Sequence, residues 1–303
     1  MKDEIINFLN INPDGIYVDC TVGGAGHSSL IAQKLSKNGT LVCFDKDIDA
    51  INVSKSRLEK FECKKIFIHS DFHNFKAKLM ENEIECVDGV LIDLGVSSYQ
   101  LDNVERGFSY MQDSKLDMRM DKDSTLSAFD VVNNYSSQNL TKILYEYGEE
   151  QFTKSIVSNI MKEREIKPIE TTGELVQIIN KSIPAKVRID RTSLKRVFQA
   201  IRIEVNGELD GLKETLEDII DYLKKDGIFC VLTFHSLEDR IVKNVFKIES
   251  TDCLCDKRIP ICVCHHKAKI KLLTKKPIEA TQNEIENNSR SKSAKLRVVQ
   301  KLF

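Results

Sequence analysis

Ile16-Tyr17-Val18-Asp19-Cys20-Thr21-Val22-Gly23-Gly24-Ala25-Gly26-His27 runs from a short apolar stretch through an acidic residue into a glycine-rich turn. A helical pattern follows from Ser28 to Leu35, closed by Asn38-Gly39. Strand, glycine loop and helix in that order open a βαβ unit whose loop backbone can approach a ligand closely. Ala25 among the glycines permits the same approach if its φ is negative. A glycine loop alone is a weak signal, because ordinary tight turns use the same residues. Its surroundings strengthen it.

Working outward, Leu41-Val42-Cys43-Phe44-Asp45, Lys65-Ile66-Phe67-Ile68-His69 and Gly89-Val90-Leu91-Ile92-Asp93 are brief and nearly all apolar. Strands buried on both faces read this way. A helical pattern from Ile48 to Phe61 separates the first two. Such alternation predicts right-handed crossovers and a parallel sheet. Asp19, Asp45, Asp71 and Asp93 then fall at the carboxyl ends of four strands, where open α/β sheets bind ligands. Each alone could cap a helix; four in register suggest a site. Asp45, 19 residues after Gly26, is placed to accept the hydroxyls of an adenosine ribose.

The rhythm stops near Leu101. Helical segments and loops follow, with Phe152, Ile156, Val157 and Ile160 on one helix face and prolines at 168 and 184. It resumes with a helix near Glu208 to Lys225, a turn at Asp226-Gly227, a buried strand from Ile228 to Phe234 and a helix from Leu237 to about Ile248. Ile270 to Leu273 and Lys295 to Val299 are late strands, and Gln282 to Lys292 reads as a loop. The expected architecture is a doubly wound, mostly parallel α/β core, 1–100 and 205–303, split by a helical insertion, 101–204.

A chain of 303 residues, 41% hydrophobic, can bury a core without disulfides or metal. Its formal net charge of −1 means that any nucleic-acid contact must use local basic patches. No apolar stretch reaches the roughly 18–20 residues of a membrane span, so a cytoplasmic location is expected. Cys20, Cys43, Cys63, Cys86 and Cys230 stand singly and read as small buried hydrophobes. The glycine loop lacks a phosphate-anchoring lysine, which argues against a P-loop. A carboxylate-rich pocket suits the cationic S-adenosylmethionine better than a pyrophosphate, although these features alone leave a nicotinamide oxidoreductase open.

Further motifs fix a resemblance. They are Asp93-Leu94-Gly95-Val96-Ser97-Ser98-Tyr99-Gln100-Leu101-Asp102, Glu105-Arg106-Gly107-Phe108-Ser109, Leu116-Asp117-Met118-Arg119-Met120-Asp121 and Tyr147-Gly148-Glu149-Glu150. Later come Phe198-Gln199-Ala200-Ile201-Arg202-Ile203, Asn206 with Glu208-Leu209, Phe234-His235-Ser236-Leu237-Glu238-Asp239-Arg240 and Arg290-Ser291-Lys292-Ser293-Ala294-Lys295-Leu296-Arg297. In this order they resemble the RsmH (MraW) family over nearly the whole chain. Its members are bacterial enzymes that methylate the N4 amine of a decoding-centre cytidine in 16S ribosomal RNA. Members usually begin with His-x-Pro-Val-Leu-Leu; Met1-Lys2 joins just after it, so the start is expected to be truncated or differently assigned. The family's Gly-Arg-Gly-Gly-His reads Gly23-Gly24-Ala25-Gly26-His27 here, and Tyr99 replaces a proline.

The resemblance implies a Rossmann-like class I methyltransferase core, S-adenosylmethionine as methyl donor, and cofactor contacts at Ala25, Gly26, His27, Asp45, Phe72, Asp93 and Gln100. It implies 16S ribosomal RNA, within the small ribosomal subunit, as partner. A non-catalytic RNA-binding assembly factor is the remaining alternative, and the intact glycine loop argues against it. Because the lone pair of cytosine N4 is delocalised, an acceptor for an amine proton would help, and Asp93 is the candidate. Its rival role is cofactor binding or a turn cap. Ser236, with Asp239 three residues on, resembles a capping box; His235 and Arg240 are candidates to face the base or its phosphate. The base is expected to swing out of the RNA.

Two basic tracts could hold RNA. Lys186, Arg188, Arg191, Lys195, Arg196 and Arg202 face a single acid, Asp190; the tract from Lys257 to Lys276 has seven basic residues and no acid. A solvated face is the plain alternative. Finally, Cys253-Leu254-Cys255 and Cys262-Val263-Cys264 could bind structural zinc across a turn containing Lys257, Arg258 and Pro260. They could equally be a hairpin with disulfides or free thiols.

Overall fold

The computed structural model describes residues 1–256, 258 and 261–303; Lys257 and Pro260 of the expected turn lie outside the described residues. By contacts the chain forms two compact units, 1–95 with 210–303, and 96–209.

The first unit begins with α1 (Lys2–Leu9) and continues β1 (Ile16–Asp19), α2 (Gly26–Lys34), β2 (Thr40–Asp45), α3 (Ile48–Leu58), β3 (Lys64–His69), α4 (Phe75–Glu81) and β4 (Val87–Asp93). Its return contains α12 (Leu212–Tyr222), β5 (Leu223–Thr233), α13 (Ser236–Glu249), β6 (Ile270–Leu272), β7 (Ile278–Glu279), α14 (Gln282–Asn287) and β8 (Lys295–Lys301). The sheet order is β3-β2-β1-β4-β5-β8-β6, with β7 also on β8. The strands from β3 to β5 pair in parallel, and β8 is antiparallel to its neighbours. This is the expected Rossmann-like class I methyltransferase core.

Leu41, Val42, Cys43 and Phe44 are consecutive and all buried, because helices cover both faces of β2. Phe44 stacks on Phe75 of α4 at 6.1 Å, and Phe229 of β5 meets Phe246 of α13 edge-on at 5.6 Å. Removing either buried ring would cost about 3–5 kcal/mol.

Three local expectations need correction. Asp226-Gly227 is not a turn before a strand but a bulge within β5: Val87 pairs with Leu223, yet Gly89 pairs with Ile228. The segment 282–292 is not a loop; α14 starts on a Thr281 cap, and a 3-10 turn, Ser289–Ser293, follows. Cys86, just before β4, is exposed, unlike the other four single cysteines, which are buried.

The second unit contains α5 (Ser98–Asp102), α6 (Ala128–Asn134), α7 (Ser137–Glu146), α8 (Thr153–Ile166), α9 (Thr172–Ser182), α10 (Ala185–Arg188) and α11 (Thr192–Asn206). Ile156, Val157 and Ile160 of α8 join Leu140, Ile143, Val197 and Ile201 in its apolar core. Such faces need a partner, since isolated helices of this length are marginal in water. No helix among the described residues is long and apolar enough to cross a membrane.

Candidate cofactor site at the strand ends

The sheet reverses direction of winding between β1 and β4, the crevice where such sheets take ligands. The chain leaving β1 is fixed there by hydrogen bonds on both sides. Cys20 N–H donates to the Leu91 carbonyl (2.9 Å), Val22 N–H to the Phe44 carbonyl (2.8 Å) and Gly23 N–H to Asp45 Oδ2 (2.8 Å). Thr21 Oγ1 in turn accepts from Asp93 N–H at 2.8 Å. The glycine loop, Asp45 and Asp93 therefore form one framework.

The loop turns through two left-handed residues, Gly23 (φ 47°) and Ala25 (φ 57°). The expected negative φ at Ala25 is thus wrong: the chain must reverse sharply to start α2, and a buried alanine accepts the strain of that conformation. The N-cap of α2 is Ala25, whose side chain offers no cap to the first N–H groups. Arg57 of α3 braces the loop by donating to the Gly24 carbonyl at 2.6 Å. Sequence reasoning missed Arg57, whose helical position carries no local sign of a loop 33 residues earlier.

The four strand-end carboxylates differ sharply. Asp19 is buried and fully used: Ser28 Oγ donates to Oδ2 (2.6 Å) and Thr21 N–H to Oδ1 (3.1 Å). Burial pushes its pKa up to about 6. Asp71 caps the turn Phe72–Asn74 and pairs with His73 Nδ1 at 2.6 Å and the Lys46 ammonium at 3.2 Å. Burial opposes its ionisation, but His73 and Lys46 prevail and hold the carboxyl well below the usual range. Asp19 and Asp71 are accordingly accounted for by their own protein partners.

Asp45 and Asp93, unlike Asp19, are only half-buried. Asp45 accepts only single N–H groups from Gly23 and Asp47 (2.9 Å) in the bonds described here, and burial pushes it up to about 6. Asp93 has a 30% exposed side chain, yet its Oδ1 is buried without a hydrogen-bond partner. Burial, reinforced by Asp19 and Glu238, pushes its pKa up to about 7. His27 Nδ1 is 3.5 Å from Asp93 Oδ2, but burial lowers the imidazole to about 4, so it is neutral near pH 7. An orphaned acceptor of this kind calls for a donor from a ligand. Two half-buried carboxylates beside the glycine loop and the start of α2 fit S-adenosylmethionine, whose amino-acid and ribose ends offer donors and a carboxylate.

Phe72 follows β3, partly exposed, with its ring 4.5 Å from that of His73. Gln100 lies in the second unit, where its Oε1 accepts from Ser97 N–H (3.0 Å) and Ser97 Oγ accepts from Gln100 N–H (3.2 Å). Its Oε1 thus takes part in the cap of α5.

A comparison with family models matches residues 1–302 to the MraW methylase family. The chain belongs to the MraW methylase family. Proteins named Ribosomal RNA small subunit methyltransferase H from Finegoldia magna and Clostridioides difficile are 53% and 52% identical, each over 100% of this chain and 97% of the relative. One from Clostridium botulinum is 53% identical with the same coverage. The molecule is an S-adenosylmethionine-dependent methyltransferase, and neither an oxidoreductase nor a non-catalytic factor is favoured.

The remaining candidates divide. The N-cap of α13 is His235, not Ser236: its Nδ1 accepts from Glu238 N–H (3.4 Å), while Glu238 Oε2 accepts from Phe234 and His235 N–H. The capping box is shifted by one residue because the His235 imidazole supplies the acceptor. Arg240 is exposed on α13. Arg188, Arg191 and Lys195 are exposed and Arg196 is half-buried, around the start of α11. Arg202 pairs bidentately with Glu208 (2.8 and 2.9 Å), so its guanidinium is committed inside its own unit. In the second basic tract Arg258 binds Asp256 and Lys269 binds Asp221. The four clustered cysteines come together within that tract and its flank.

Proposed function

We propose that this methylase transfers a methyl group from S-adenosylmethionine to the N4 amine of a cytidine in the decoding centre of 16S ribosomal RNA. The observation that carries the chemistry is the buried, unpartnered Oδ1 of Asp93 at the β1–β4 crevice. The name shared by the relatives, Ribosomal RNA small subunit methyltransferase H, supports the substrate.

When bound, S-adenosylmethionine supplies a methyl carbon activated by a positive sulfur. Asp45 accepts ribose hydroxyls, the loop at Ala25, Gly26 and His27 receives the amino-acid end, and Phe72 covers the base. Asp93 Oδ1 would accept a hydrogen bond from the cytosine amine, hold the nucleophile in line, and take the amine proton as the N–C bond forms and the methyl–sulfur bond breaks to leave a neutral thioether. A carboxyl near pKa 7 is matched to that task at neutral pH. His235 is a positioning cap in this reading.

The unit 96–209 is the RNA-binding domain, with Arg188, Arg191, Lys195 and Arg196 on phosphates and Arg240 a further contact. Arg202 is left out because Glu208 holds it. The partner is the small ribosomal subunit and the location cytoplasmic. A zinc ion at Cys253, Cys255, Cys262 and Cys264 would be structural and take no part in the transfer. Purified protein, labelled cofactor and immature small subunits should yield N4-methylcytidine by mass spectrometry of the RNA. Labelled RNA without that nucleoside would refute the substrate; no labelling at all would refute the reading.

A further inference from the structure

Methyl transfer leaves one cluster unused. Between α13 and β6 the chain brings four sulfurs together: Cys253 Sγ lies 3.4 Å from Cys262 Sγ and 3.8 Å from Cys264 Sγ, and Cys262 and Cys264 are 3.6 Å apart. With Cys255, all four lie within 4.8 Å of one another. We infer that these four thiolates form a closed tetrahedral zinc site that ties Cys253 and Cys255 to Cys262 and Cys264.

The distances discriminate between the alternatives. A disulfide needs its sulfurs about 2.05 Å apart, and all four cysteines are free. Thiolates around one zinc at about 2.3 Å stand about 3.8 Å apart along each edge of the tetrahedron. The observed separations cluster near that edge. Hydrophobic burial does not gather these thiols, since Cys253, Cys262 and Cys264 are exposed and Cys255 is half-buried.

The backbone is arranged reciprocally. Leu254, between the first two cysteines, donates its N–H to Cys264 Sγ, and Val263, between the second two, donates to Cys255 Sγ, both at 3.4 Å. Such donors favour the ionised sulfur. Each single-residue spacer thus serves the opposite pair. His266 is not needed as a ligand, because its Nε2 contacts the Ile248 carbonyl at 3.0 Å. The segment has little core of its own: Leu254, Ile261 and Val263 are 49%, 74% and 64% exposed. A metal cross-link supplies what burial does not. On binding, each thiol loses its proton to solvent and each sulfur donates one pair to Zn²⁺; nothing is oxidised or reduced.

Full-length protein purified without chelator should carry one zinc per chain by elemental analysis, with the four thiols shielded from a thiol reagent until the metal is removed. Cobalt(II) added to the stripped protein should give sulfur-to-cobalt charge-transfer and tetrahedral visible bands. Chelation should expose 253–264 to protease while S-adenosylmethionine binding persists, so a misfolded sample is recognised. The double variant Cys255→Ser, Cys262→Ser should lower zinc to under half an equivalent. Less than half an equivalent in the native protein, with four freely titrating thiols, would overturn the site; so would a mass showing a disulfide in this segment. Either failure leaves the methyl-transfer reading standing.

Discussion

Asp71 at the end of β3 and Asp93 at the end of β4 occupy equivalent places in the sheet, yet their surroundings are opposite. Asp71 has His73 and Lys46 within 3.2 Å and is held ionised. Among the described residues, Asp93 has a neutral imidazole at 3.5 Å, a buried oxygen without a hydrogen-bond partner and a pKa near 7. The outer end of the crevice is electrostatically complete without a ligand, whereas its centre is not. Place in the fold therefore nominates a residue, and the unmet demand of its atoms decides whether it can act.

The sharpest test is Asp93→Asn. If Oδ1 accepts the amine proton, kcat should fall about 10²–10⁴-fold, with cofactor affinity much less affected. Equal losses in kcat and cofactor affinity would return Asp93 to cofactor binding alone. Next, Asp45→Ala should weaken S-adenosylmethionine binding by about 2–3 kcal/mol in calorimetry, the loss expected for charge-assisted hydrogen bonds. Asp71→Ala should instead cost about 1–2 kcal/mol of folding stability through a lost cap, with the cofactor Kd nearly unchanged. A Kd that rises as much as for Asp45→Ala would erase the distinction between the two ends.

The same contrast appears in pH dependence. Asp19 and Asp45 at about 6 and Asp93 at about 7 hold protons more tightly in the fold than in the unfolded chain, where an aspartate titrates near about 3.9. Their contribution is complete below that value and is lost as pH rises through 6 to 7. Asp71 acts the other way, losing its contribution as pH falls below the usual carboxylate range. The Tm of the ligand-free protein should therefore decline from about pH 5 to 7.5. Over that interval cofactor affinity should increase, because the carboxylates that oppose folding become acceptors for it. Parallel movement of Tm and affinity would contradict this assignment. The smallest effect is expected from Ala25→Gly, which relieves the left-handed strain but gives a floppier unfolded chain. A net gain of about 0.5 kcal/mol is expected by denaturant melts; a loss would mean that the Ala25 methyl packs well enough to outweigh the strain.

The sequence by itself determined the strands, their order of appearance, the glycine loop and the positions of Asp45 and Asp93. Those rest on short-range regularities, an apolar run buried on both faces or a turn between strand and helix, which neighbouring residues can express. The tertiary structure alone decided which carboxylates remain available, because the deciding partners lie outside each residue's own strand: Lys46 for Asp71, His27 for Asp93, Ser28 for Asp19. It also moved the α13 cap to His235, committed Gln100 and Arg202 to local partners, set Ala25 left-handed and drew four cysteines into one cluster. Hydrogen-bond and charge pairing depend on distances of a few ångströms, and only the folded chain sets those.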